Sequence, residues 1–269
     1  MIAAVKSVLK PLPTLYRVSL ADAVAYRGQA LIWILSTNTP LIMLLLWNAV
    51  AAEGPIGRFG QAEFRAYFLV TLIVRLLQGV WVAWEINMEV RDGSIAGRLL
   101  KPMHPFWAYA FENIAAWPVR FVMTAPVIGV AAFLVGSDQV THDWRQWALF
   151  PLALFGGWAL SFTSNLAIGC LSFFWQSALG VAEVWFGLYV VLSGYIVPLE
   201  LFPPWAQAIV MRLPWAHIVS TPVRLVTGHD TFAQSLVQLG EQWAYIAAFT
   251  VVGSILWSRG VRRYEAFGG

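Results

Sequence analysis

Arg27-Gly-Gln-Ala-Leu-Ile-Trp-Ile-Leu-Ser-Thr-Asn-Thr-Pro40-Leu-Ile-Met-Leu-Leu-Leu-Trp47-Asn-Ala-Val-Ala-Ala-Glu53 carries no charge between its two ends. A helix that crosses a bilayer needs about 20 mostly apolar residues. The stretch supplies them over 29–52, with Pro40 inside. The same test, carried along the chain, predicts a second span over 66–86 that contains Arg75. A third runs over 110–135 and is entered through Glu112, Trp117, Pro118 and Arg120. Between Arg145 and Glu200 the only charge is Glu183, and the run is too long for one crossing. A break near Phe174–Ala178 splits it into spans over 147–172 and 179–198, and the last span covers 238–258, ending at Arg259. The expected fold is all-α: one polytopic transmembrane domain over 1–269, with six transmembrane helices.

Composition agrees. Hydrophobic residues make up 59% of the chain and charged residues 12%, against roughly 25% charged in a soluble domain. Mean hydropathy is +0.67. The 15 Trp suit amphipathic rings at bilayer interfaces. Cys170 is the only cysteine, so an intrachain disulfide is impossible and a Cys-ligated metal site nearly so. Met1–Lys10 has neither a clear basic start nor a small-residue cleavage site, so no cleaved signal peptide is expected.

Lys and Arg placement orients the spans. With the N-terminus inside, Lys6, Lys10, Arg17, Arg27, Arg91, Arg98, Lys101, Arg259, Arg262 and Arg263 are cytoplasmic. Arg58, Arg65, Arg145, Arg212 and Arg224 are then outside, and Arg75 and Arg120 lie within spans. The excess is inside, so both termini are expected there.

Three segments are not spans. In 5–27, Leu12, Leu15, Tyr16, Ser19, Leu20 and Ala23 recur at helical spacing among Lys10, Arg17, Asp22 and Arg27. This predicts an amphipathic helix lying at the cytoplasmic interface, the alternative being a frayed terminus. In 85–105, acidic residues are followed by Arg91, Gly93 and Arg98, then Leu99-Leu100-Lys101-Pro102. Gly93, Pro102 and Pro105 leave room for one short helix near 94–100, parallel to the membrane, with Leu99 and Leu100 on one side. Docking to a cytoplasmic protein and an ordinary positive loop both fit it. In 193–217, Pro198, Pro203, Pro204 and Pro214 forbid a continuous helix. Short outer helices before the sixth span, dipping into the leaflet or capping the fifth, are expected there within a re-entrant or short-helix extracellular segment over 199–230, the alternative being a simple extracellular hairpin.

Familiar catalytic patterns are missing. The lysines are Lys6, Lys10 and Lys101, and none follows a glycine, so there is no P-loop. His104, His142, His217 and His229 have no metal-ligand spacing. There is no G-x-S-x-G elbow. Arg75 is the odd residue. A charge at mid-bilayer costs around 2.5–3.5 kcal/mol, so it faces a translocation path, pairs with Glu183, or reaches an interface. Arg120 and Glu183 read as structural residues near the cytoplasmic ends of their spans.

Glu89-Val-Arg91-Asp92-Gly93 followed by Leu99-Leu100-Lys101-Pro102 resembles the E-x-R-x-G … LL-[KR]-P stretch of ABC-2-type transporter permeases. Gly194-x-x-x-Pro198, Phe202-Pro203-x-Trp205 and Leu213-Pro214 resemble that family's second signature. The resemblance covers nearly the whole chain. It implies the membrane subunit of a bacterial ATP-driven exporter in the cytoplasmic membrane. It implies two permease chains, identical or related, around one pathway among membrane lipids, and separate cytoplasmic ABC ATPase subunits that carry ATP and Mg. No cofactor on this chain, no enzymatic activity and no nucleic-acid partner are implied. Glu89, Arg91, Asp92, Gly93, Arg98, Leu99, Leu100, Lys101 and Pro102 would couple to the ATPase. Gly194, Pro198, Phe202, Pro203 and Trp205 would line or gate its exit, and Arg75 and Glu183, singled out above by their charge within spans, are the further pathway candidates. A membrane-embedded enzyme or lipid-modifying protein, and a passive channel or secondary transporter, remain as alternatives.

Overall fold

Apolar runs, interrupted by Gly, Pro and capping side chains, set the helices. A computed structural model describes residues 12–25, 28, 32, 38–101, 103–175 and 178–264. In chain order the helices are α1 Leu12–Ala25, α2 Thr39–Val50, α3 Gln61–Leu77, α4 Val82–Asp92, α5 Ile95–Leu99 and α6 Pro105–Ala115. Then follow α7 Trp117–Leu134, α8 Trp144–Gly169, α9 Ala178–Leu192, α10 Pro204–Val210, α11 Ala216–Val226 and α12 Phe232–Arg263. No β-strand occurs among the described residues.

Local chemistry explains the boundaries. Glu63 turns back to accept the Gly60 N–H at 2.9 Å at the start of α3. Pro105 opens α6, where its missing N–H costs nothing. Asp143 accepts the Arg145 N–H at 2.9 Å at the start of α8. At the start of α12, Gln234 Oε1 accepts the Thr231 N–H at 2.8 Å, and Thr231 Oγ1 accepts the Gln234 N–H at 3.4 Å.

Four helical runs among the described residues are long and apolar enough to cross a membrane: Gln61–Asp92, Pro105–Leu134, Trp144–Phe173 and Phe232–Arg263. Thr39–Val50 and Ala178–Leu192 are apolar but shorter. They fall in the expected spans 29–52 and 179–198, of which 29–31, 33–37 and 176–177 lie outside the described residues. The runs extend beyond the predicted boundaries. The run matching the predicted second span begins at Gln61 rather than 66, and the last covers Phe232–Arg263 rather than 238–258.

α8 is the central post. On one side, Leu154 and Leu160 join Phe64, Tyr67, Phe68 and Val74 of α3 and Ile218, Val219 and Val223 of α11. On another, Trp158, Phe162 and Leu166 join Val82 and Ile86 of α4, Tyr109 of α6 and Trp257 of α12. Cys170, fully buried, lies in this second cluster, its Sγ 3.8 Å from the Gly253 carbonyl. Neighbouring glycines let two polar side chains reach the post. Gln242 donates to the Ala153 and His217 carbonyls at 3.1 and 2.7 Å beside Gly156. Gln78 donates to the Ile218 and Leu154 carbonyls at 3.0 and 3.4 Å beside Gly157.

Outside the post the apolar faces turn outward. Phe133 of α7 is 89% exposed and Leu45 of α2 is 72% exposed. An all-helical protein that shows large apolar side chains on its long helices has a surface suited to lipid rather than water. α1 packs along α6. It covers part of the expected interfacial helix; residues 5–11, 26 and 27 lie outside the described residues. Its exposed side mixes Val18 and Val24 with Arg17 and Asp22, so polar and apolar faces divide less cleanly than the spacing predicts.

Candidate functional site

Three polar constructions stand out in this apolar frame. The first is the turn between the first two long runs, Gln61–Asp92 and Pro105–Leu134. Gly93 ends α4 with φ +84°, a left-handed conformation suited to glycine. Asp92 accepts the Ser94 N–H at 2.9 Å, and α5 follows. Arg98 of α5 then meets three carboxylates: Glu85 at 2.7 Å, Glu89 at 2.8 Å and Glu112 at 2.8 Å. Its guanidinium lies 4.2 Å from the Tyr109 ring centre, and the Tyr109 hydroxyl donates to Glu89. Burial opposes the Arg98 charge, but the hydrogen bond and charge of Glu112 and the nearby Glu89 outweigh it and hold its pKa above the usual value. One side chain thus ties α5 to both α4 and α6.

Leu99 and Leu100 part company. Leu99 packs against the core and Leu100 is 88% exposed. The expectation that both share one side fails because successive helical residues lie about 100° apart. Arg91, Asp92 and Lys101 are exposed beside Leu100, whereas Glu89 and Arg98 face inward to one another. Pro102 lies outside the described residues.

The second construction is a break in the first long run, Gln61–Asp92. α3 stops at Leu77 and α4 starts at Val82, about midway along the run from Gln61 to Asp92. Gln78 reaches across to α8 and α11, as described, and Arg120 of α7 donates to the Gly79 carbonyl at 2.6 Å. Arg75 sits in the last turn of α3, where helix carbonyls supply negative potential for a cation. Its guanidinium is 5.8 Å from the Tyr189 ring centre. The break lines a cavity of about 310 Å³ together with α9, Ser161 and Asn165 of α8 and Ile218 of α11. Arg75, Gln78, Asn165 and Glu183 bring polar atoms to it. Glu183 has no hydrogen-bond or ion-pair partner among the described residues. Arg75 and Glu183, joined by the sequence reading, therefore share one chamber.

The third construction closes the opposite end of α3. Tyr67 donates to the Gly194 carbonyl at 2.8 Å, and Gly194, at φ +86°, has no room for a Cβ beside the Tyr67 hydroxyl. Glu200 receives Arg224 at 3.0 Å and Arg58 at 3.2 Å. Arg224 also grips Asp230 with two nitrogens, and Gln238 of α12 donates to Asp230 at 3.0 Å. Burial alone would raise the Glu200 carboxyl; His229 and the Arg224 guanidinium overcome it and hold the pKa near 2. His229 stands 3.7 Å from Glu200, farther than the Arg224 guanidinium at 3.0 Å. Pro198 is buried here and Phe202 packs against Leu199 and Val210, while Pro203 and Trp205 are exposed. None of the five predicted residues from Gly194 to Trp205 lines the Arg75–Glu183 cavity.

The sequence reading missed Gln78, Gly79 and the Glu200–Arg224–Asp230 lock. A Gln-Gly pair inside an apolar run signals a helix break. The lock left a fainter trace, Arg224 six residues before Asp230 across the Gly228 turn. Among the described residues no group of three or more His, Cys, Asp or Glu could hold a metal.

These features define a multi-pass, all-helical membrane protein with a polar chamber midway along its Gln61–Asp92 run and ionic ties at both ends of that run. The pattern of the family described as ABC-2 family transporter protein matches residues 36–268, and the chain belongs to that family. No curated protein matches the chain.

Proposed function

We propose that the chain is the transmembrane permease subunit of an ATP-driven exporter. Two such chains, identical or related, enclose one translocation pathway, and separate cytoplasmic ABC ATPase subunits carry ATP and Mg. The chain crosses a bacterial cytoplasmic membrane six times, with 29–52 and 179–198 completing the four long runs and both termini inside. Ile95–Leu99 is the coupling helix.

The observation that carries the reading is the Arg98 cluster. A five-residue helix cannot hold its own shape. Arg98 supplies the missing rigidity by bonding Glu85 and Glu89 on one run and Glu112 on the next. A push on the exposed side, where Arg91, Leu100 and Lys101 lie, then reaches both runs as one displacement. That is the property a coupling element requires.

The test is copurification. The tagged chain, expressed with its ATPase, should retain it, and replacing 91–101 with Gly and Ser should release it while the permease stays folded. Undiminished association would overturn the coupling role. The chain alone should hydrolyse no ATP.

A further inference from the structure

The Arg75–Glu183 chamber has a character that the transport reading does not specify. Its walls include Trp81 and Trp84 beside the broken run and Trp185 and Phe186 on α9. Aromatic faces carry negative potential and attract cations, tryptophan most strongly. Two charges of opposite sign line the space, yet they are not equivalent. Arg75 already sits at the carbonyl end of α3 and over the Tyr189 ring. Glu183 has no such answer: it stands on an otherwise apolar helix with no hydrogen bond or ion pair among the described residues. A carboxylate in such surroundings is stabilised by a counter-charge far more than it would be in water. The unanswered charge of the chamber is therefore negative, and its walls are aromatic.

We propose that this chamber binds a lipophilic organic cation, one whose positive charge sits within an apolar or aromatic body, with Glu183 as its counter-charge and the Trp185 face against it. The space of about 310 Å³ admits part or all of a small drug-sized molecule. Entry lies along α9, whose exposed side carries Val184, Leu188 and Val191, so a membrane-dissolved amphiphile reaches the opening without crossing a polar surface. Calling that cation cargo rests on the transporter reading; the binding itself does not.

The probe pair is tetraphenylphosphonium and tetraphenylborate, which share a shape and differ in the sign of charge. Binding is measured by equilibrium dialysis on the full chain in neutral-lipid nanodiscs, with empty nanodiscs subtracted. The cation should bind saturably, and Glu183→Gln should weaken it at least about tenfold, with Glu183→Asp recovering part of the loss. Trp185→Ala should weaken it by about threefold or more, as expected for one lost aromatic face. Arg75→Ala should leave it unchanged or tighter. Equal or stronger binding of the anion, or a Glu183→Gln variant that binds as well as the parent, would overturn the proposal. Because the assay needs no nucleotide and no partner, cation binding with no associated ATPase would defeat the exporter reading alone. Loss of ATPase association on altering 91–101, with no cation binding, would defeat the chamber proposal alone.

Discussion

Glu200 shows how one side chain sets a pH limit. Its ordinary carboxyl value is 4.5 and its folded value about 2, so the folded state favours the ionised form. A depressed acid contributes stability that is present above the ordinary value and lost as pH falls toward the folded one. Thermal unfolding in detergent should therefore show stability declining between about pH 4.5 and 2. Glu200→Gln should unfold more readily at pH 7 and flatten that limb. An unchanged acid limb would place the sensitivity elsewhere. His217 adds an earlier component. Burial, aided by the charge of Arg212, lowers its imidazole from 6.5 to about 4, so it enters the fold neutral and its 3.5 Å contact with Glu241 is not an ion pair at pH 7. Stability should start to fall as pH drops below about 6.5, and His217→Gln should remove that first part.

At the scale of elements, the ties between helices make different demands. Arg98→Ala leaves three carboxylates crowded around an empty centre. Fully buried pairs cost about 3–5 kcal/mol to break, and this partly exposed cluster should cost about 2 kcal/mol. Arg98→Lys should not restore it, because one ammonium lacks the planar fork that reaches three partners. Recovery by lysine would argue for simple charge balance. Gly157→Ala would set a Cβ 2.6 Å from the Ile218 backbone oxygen, which cannot step aside. A loss of about 1–3 kcal/mol is expected from such overpacking. Gly129→Ala, with nothing within 4 Å, should be neutral or gain up to about 1 kcal/mol from helix propensity. Elements of this kind were unequally legible in the sequence. Charge-free runs and the Gly93 stop follow from local rules, so the helices and the short α5 could be read directly. The Arg98 cluster could not, since Glu85, Glu89 and Glu112 converge only once α4 and α6 stand side by side. The Gln78 break escaped for the opposite reason: hydropathy averages over it, while the decision to stop the helix is made by Gln78 and Arg120 bonding across to neighbours.

For the molecule as a whole, the division of labour is spatial. A central post, α8, carries the packing, while polar groups gather at a chamber halfway along the Gln61–Asp92 run and at ties toward each end of it. The proposed topology makes opposite sides of those ties accessible from opposite sides of the membrane. In intact spheroplasts, a membrane-impermeant thiol reagent should label Trp205→Cys and leave Lys101→Cys untouched until the membrane is opened. The reverse pattern would invert the orientation. Cys170 decides how cleanly such labelling reads out. Its thiol is sealed between α8 and α12 with no solvent-facing surface, so the native chain is chemically silent to the reagent. It is already the blank background that accessibility mapping and paired spin labels require, with no prior replacement of a core residue.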